Sequence, residues 1–315
     1  MARGSNQSAP AAPSPTRHTT RMPDADTNAA GPTSHSFVSQ RLRLNYLDWG
    51  NPEAPVLILQ HGGRDHARSW DWVARQLRHD WHVIAPDLRG HGDSAWSPDG
   101  AYMMPYFIHD LAQLIHQLDS ETVTLVAHSL GGAIALRYAG LYPEKVRRIC
   151  AIEGLGWKPR PSGPQAPDRI AERWREWIAE RRDLSGRAPR RYPSIQAALE
   201  RMQAENKHLS ADQARHLTVH GVSRNEDGTF SWKFDNYVRN GPPVDMPEAE
   251  IHALWGRIAC PALLCHGTDS WARDPRTTGE AGHFRDARVA AFENAGHWLH
   301  HDQLDRFMSQ LRDFI

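Results

Sequence analysis

Among the side chains able to attack a substrate, Ser129 has the most informative surroundings. It lies in Leu125-Val126-Ala127-His128-Ser129-Leu130-Gly131-Gly132, where a strand-like run ends and a helical run begins. So sharp a turn from strand to helix forces the junction residue into strained backbone geometry. Small residues two positions to either side relieve the crowding, and Ala127 and Gly131 supply them. The turn lifts a hydroxyl clear of the backbone and aims a helix N-terminus at a reacting carbonyl oxygen. A serine capping an ordinary helix is the commoner occupant of such a junction, so the rest of the chain has to decide. A hydroxyl also needs a nearby base at neutral pH. The chain offers 19 histidines, most of which read as surface or packed imidazoles.

The elements around Ser129 point to an α/β fold. Residues 37–49 alternate as a hairpin would. Short apolar runs then follow at Val56–Gln60, His82–Pro86, Val123–Ala127 and Val146–Ile152, separated by helical stretches at Ser69–Arg78, Tyr106–Leu118 and Leu130–Leu141. Strands alternating with helices call for a mostly parallel, doubly wound sheet covered on both faces. A second block follows at Pro261–His266, Arg288–Glu293 and a final helix from Gln303.

Between the blocks, over residues 157–247, the pattern changes to a proline-rich linker, Pro159–Pro167, and helices at Ile170–Arg182, Ile195–Glu205 and Ala211–Val219, with one strand at Thr229–Phe234. Such an insertion reads as a helical lid over the strand ends, where ligands bind in an open parallel sheet. The expected division is therefore a tail over 1–35, a first core part over 36–156, the lid over 157–247 and a second core part over 248–315. The tail is rich in Ala, Ser, Pro and Thr without apolar periodicity, which predicts disorder. It lacks the apolar stretch of a secretory signal.

Composition narrows the classes. Lys plus Arg and Asp plus Glu both total 37, so net charge gives no reason to expect nucleic acid or an anionic membrane as partner. No apolar run approaches the roughly 18–20 residues of a membrane span. The three cysteines, Cys150, Cys260 and Cys265, do not make a disulfide framework. Cys260 and Cys265 flank one strand on opposite faces. Buried free thiols in a reducing compartment, hence a soluble cytoplasmic protein, are expected. His300-His301 and the pair His109 and His116 lack the spacing of a metal motif, so neither metal nor cofactor is expected.

Further segments fall in register with Ser129: Gln60-His61-Gly62-Gly63, then Asp87-Leu88-Arg89-Gly90-His91-Gly92-Asp93-Ser94, Cys265-His266-Gly267-Thr268-Asp269 and Gly296-His297-Trp298. In this order the chain resembles the α/β-hydrolase superfamily over about residues 37–315, in its lid-bearing serine esterase branch. Ala127 departs from the family's G-x-S-x-G but remains small. The resemblance implies Ser129 as nucleophile, His297 as general base, and an oxyanion hole from the backbone N–H groups of Gly63 and Leu130. It implies a structural His61. The acid is open. The family's Gly-x-x-Asp becomes Gly267-Thr268-Asp269-Ser270 here, one residue early. Some relatives place the acid after strand six, where Ile152-Glu153-Gly154 stands. Asp269 is preferred and Glu153 is the alternative, the unused one expected in the same hydrogen-bond network.

Asp87 and Asp93 lie in a glycine-rich turn and read as backbone hydrogen-bond acceptors. Arg64, His128, Trp157, Trp271 and Trp298 are candidates to contact a small-molecule substrate. Related dehalogenases and epoxide hydrolases resemble one another in having Asp at the elbow, and a serine there implies an acyl-enzyme. A small to medium hydrophobic carboxylic ester is the expected substrate. A C–C bond or lactone hydrolase on the same triad is one alternative, and a catalytically silent binding protein is the other.

Overall fold

A hairpin of β1 (Thr33–Ser39) and β2 (Leu42–Asp48) forms one edge of the sheet, paired antiparallel from Thr33↔Asp48 to Ser39↔Leu42. The computed structural model describes residues 1, 31–156 and 169–315. The expected tail thus lies almost wholly outside the described residues, and its last three positions, 33–35, belong to β1. The proline-rich linker and Trp157 also lie outside them.

The sheet continues with β3 (Val56–Gln60), β4 (His82–Pro86), β5 (Val123–His128) and β6 (Val146–Ile152), and is completed by β9 (Ala262–Gly267) and β10 (Ala287–Phe292). Its eight strands run in the order β1-β2-β4-β3-β5-β6-β9-β10. β2 meets β4 antiparallel, and from β4 to β10 every pairing is parallel. Parallel strands must be buried on both faces because their crossovers lay helices there. β5 accordingly has all six residues buried.

Alternate residues feed two cores. Ile58, Ile84, Leu125 and Leu264 face α2 (Met104–Gln117), α3 (Leu130–Leu141) and α7 (Glu248–Trp255). Leu57, Val83, Val126 and Leu263 face α1 (Asp71–Leu77) and α9 (Leu304–Phe314). The helix expected at Ser69–Arg78 is divided into a 3₁₀ turn, Ala67–Trp70, followed by α1. The sequence reading did not place α7.

The insertion between β6 and β9 carries α4 (Ile170–Ser185), α5 (Ile195–Glu205), α6 (Ala211–Gly221) and a small hairpin of β7 (Val222–Arg224) with β8 (Phe230–Trp232). It is tied to the loops at the strand ends. Asp235 N donates to Gly90 O at 2.9 Å, Tyr102 Oη donates to Asp235 Oδ2 at 2.7 Å, and His66 Nε2 meets Leu217 O at 3.0 Å. Cys150, Cys260 and Cys265 are buried free thiols. Among the described residues, no helix is long and apolar enough to cross a membrane.

Candidate active site

Ser129 occupies the break between β5 and α3 with φ 51° and ψ −117°, a left-handed conformation uncommon outside glycine. The neighbouring strand holds it there, since Ser129 N donates to Ile152 O at 2.8 Å. Two glycines let the surrounding loops close on it. A Cβ on Gly131 would stand 2.4 Å from His61 O, and one on Gly62 would stand 2.7 Å from His128 Nδ1 and 3.1 Å from Ser129 Cβ. Gly63 comes next and lies beside the Leu130 side chain, 3.8 Å from its own ideal Cβ position. The loop after β3 is therefore packed against the turn that carries Ser129, with Gly63 exposed and Leu130 partly exposed.

His61 sets that loop. Its Nε2 accepts from Leu88 N at 3.0 Å and its Nδ1–H donates to Gly62 O at 2.7 Å. Burial, reinforced by the nearby His91, holds the ring well below the ordinary imidazole range, which keeps it neutral for both bonds.

His297 reaches the serine from the loop after β10. Its Nε2 lies 2.9 Å from Ser129 Oγ. Its Nδ1 lies 2.9 Å from Glu153 Oε2. With the proton on Nδ1 and donated to the carboxylate, Nε2 is free to accept from the hydroxyl. Glu153 sits just beyond β6 at φ 52°, and its side chain is 0% exposed. Gly267 N donates to Oε1 at 2.8 Å, and Ser270 Oγ donates to Oε2. His266 Nδ1 comes within 3.0 Å of Oε1.

Asp269 is not in this network. It is exposed, and its carboxylate takes a 3.3 Å bond from Thr268 Oγ1. The preference for Asp269 is thereby corrected. Its backbone N bonds to Ala295 O at 2.9 Å as the chain leaves β9, which leaves the side chain at the surface. Ser270 occupies the last position of Gly-x-x-Asp and presents a hydroxyl to Glu153. The sequence reading missed Ser270 and His266, although Ser270 stands where the family pattern would put its acid.

The other candidates separate. His128, expected on the substrate side, is 1% exposed. As the last residue of β5 it points inward, and its Nε2–H donates to His297 O at 2.8 Å. Its place is behind His297, supporting that loop. Trp271 is 53% exposed, with its ring centroid 4.4 Å from that of His297. Arg64 and Trp298 line a recess of about 270 Å³, part of it open to solvent, together with Asp65, His66, Trp232 and Phe234. Each follows directly on a residue already placed, Arg64 on Gly63 and Trp298 on His297. Asp87 accepts from Ala67 N at 2.7 Å and Asp93 N at 3.0 Å, so it organises backbone as expected.

Two groups of metal-ligand type exist among the described residues, Asp71 with His216 and His220, and Glu248 with His252 and Glu280. An arginine already serves the carboxylates of each. Arg68 grips both oxygens of Asp71 at 2.6–2.9 Å, and Arg273 lies 2.7 Å from Glu280 and 3.6 Å from Glu248. Guanidinium groups there oppose a further cation.

Comparison with known proteins bears on the fold and the class of activity. The α/β-hydrolase fold family model matches residues 55–304. An esterase of Mycobacterium tuberculosis is 29% identical over 269 residues, covering 82% of each chain. A solved structure of that esterase superposes with a TM-score of 0.70 at 27% identity, covering 91% of this chain and 92% of that one. The N-formylmaleamate deformylase of Pseudomonas putida is 25% identical over 279 residues, covering 87% and 93%. A thioesterase domain from the curacin biosynthetic pathway shares the fold, with a TM-score of 0.75 at 22% identity, over 90% and 100% of the two chains. Both the family match, which spans most of the chain, and the likeness to an esterase support a hydrolase. The chain belongs to the α/β-hydrolase fold family.

Proposed function

We propose that this protein is a serine hydrolase that cleaves a small to medium carboxylic ester through an acyl-enzyme. The observation that carries the reading is the continuous run from Ser129 Oγ through the His297 ring to Glu153, with 2.9 Å at each step. In the first half-reaction Ser129 Oγ attacks the ester carbonyl while its proton passes to His297 Nε2. The negative charge forming on the carbonyl oxygen rests on the backbone N–H groups of Gly63 and Leu130. Collapse breaks the ester C–O bond, and the alcohol leaves with the proton from His297. Water then attacks the acyl-serine, gives its proton to His297, and releases the acid and Ser129.

Glu153 takes the part of the third member. It holds His297 in the Nδ1–H tautomer and balances the imidazolium that forms. The inserted helices serve as a lid over the strand ends, and Trp232, Phe234 and Trp298 give the recess its apolar surface. Pre-steady-state hydrolysis of a p-nitrophenyl ester tests this. The expected result is a burst of about one p-nitrophenolate per protein, abolished by Ser129→Ala. Steady turnover that survives Ser129→Ala would overturn it.

A further inference from the structure

Two arginines, one lining the recess and one packed on its wall, make no ion pair among the described residues, and Glu205 acts on Arg239 only at longer range. Arg64 follows Gly63 in left-handed conformation, φ 63°, and is exposed. Arg239 lies against the ring of Phe234, its guanidinium carbon 5.3 Å from the centroid, and Phe234 lines the same recess as Arg64. Two of the acids nearby are held in ion pairs with other cations. Glu205 is paired with Arg201, and Asp93 is paired with Lys233 at 2.8 Å. Asp65 is buried, with Oδ1 bonded to His66 N at 2.9 Å, and burial pushes its carboxyl up to about 7. Partial desolvation and then the charge of Arg64 lower the pKa of Arg239. Two like charges whose fields reach one another repel and gain from an anion placed between them.

We propose that Arg64 and Arg239 form a subsite for a carboxylate on the substrate, so that the preferred ester carries a free carboxylate near its scissile bond. This rests on the reading of Ser129 as the acylated residue and deepens it. Arg64 is one residue from the proposed oxyanion donor, so a carboxylate held there anchors a short acyl chain with its carbonyl at Ser129. Trp232 and Trp298 then pack the methylenes. A guanidinium pair suits the planar carboxylate, which accepts two parallel N–H bonds.

The test compares p-nitrophenyl hemiglutarate with p-nitrophenyl valerate, a neutral ester of the same carbon-chain length, and measures glutarate binding to Ser129→Ala by calorimetry. The expected kcat/KM preference for the hemiglutarate is tenfold or more. It should fall at least tenfold in Arg64→Gln and in Arg239→Gln, return in part in Arg64→Lys, and weaken with salt. Glutarate should bind Ser129→Ala and lose that binding when Arg64→Gln is added. Turnover of both esters with no preference, or a preference indifferent to both arginines, overturns the subsite and leaves the esterase reading intact. Glutarate binding without turnover of either ester overturns the esterase reading and leaves the subsite. Absence of glutarate binding overturns the subsite whatever the turnover.

Discussion

Glu153 Oε2 lies 2.9 Å from His297 Nδ1, so the carboxylate at the imidazole comes from the end of β6, not from the loop after β9. Glu153→Gln is expected to lower kcat by about 10⁴, the loss seen when a triad acid becomes an amide in the serine proteases. Asp269→Asn is expected to stay within about twofold of wild type, since its carboxylate bonds to Thr268 Oγ1, whereas His297 bonds to Glu153. Steady-state kinetics of the two variants decide the assignment, and equal losses would refute it.

Ser270 supplies a hydroxyl to the same oxygen of Glu153 that faces His297. A hydrogen bond to a charged group contributes about 1.5–3 kcal/mol. If most of that is needed to aim the carboxylate, Ser270→Ala should lower kcat by roughly 10- to 100-fold with little change in KM. Ser270→Thr should recover part of the loss. A wild-type kcat in Ser270→Ala would show that the contacts of Oε1 with Gly267 N and His266 suffice to hold Glu153 in place.

Legibility from sequence followed the same division. Parallel strands buried on both faces leave continuous apolar runs, so β3, β4 and β6 could be bounded to the residue. Ser129 was legible because its strain demands small neighbours at fixed offsets. The partner of His297 was not, because two loops from adjacent strands, β6 and β9, can both reach one imidazole nitrogen. Sequence spacing does not say which side chain turns inward. His128 was misjudged for a related reason: its place beside Ser129 suggested the pocket, whereas the pleat of β5 sends it to the interior. α7 was missed because it is a short helix whose only buried residue is Trp255, too little for a periodic signal.

Arg89 and Asp110 form an almost wholly buried pair, Nε to Oδ2 at 2.6 Å and Nη2 to Oδ1 at 2.6 Å. Removing either partner leaves an uncompensated buried charge, which costs about 3–5 kcal/mol. Arg89→Ala and Asp110→Ala should each lower stability by that order in urea unfolding. A loss below about 1 kcal/mol would place the pair in the class of exposed ion pairs.

Acid should weaken the fold. Burial holds His61, His128 and His300 well below the usual imidazole range, His66 and His91 at about 4 and His301 at about 3. Each binds a proton more readily unfolded, so its stability is complete above the ordinary 6.5 and is lost as pH falls toward 4 and 3. Asp65, raised to about 7, and Asp87, raised to about 6, act oppositely, stabilising as pH falls toward their ordinary 3.8. The lowered imidazoles, which also include His220 at about 4 and His252, outnumber the raised carboxyls of Asp65, Asp87 and Asp302. The urea midpoint should therefore drop steadily from pH 7 to pH 4.5, and a constant or rising midpoint would contradict the neutral burial of these rings.

Covalent labelling tests the central claim most directly. A fluorophosphonate added to the wild-type protein at neutral pH, followed by intact mass and peptide mapping, should give one adduct per chain on the peptide containing Ser129. Labelling should be lost in Ser129→Ala and strongly slowed in His297→Ala. Folded protein that takes no label, or takes it at another serine, would contradict the account.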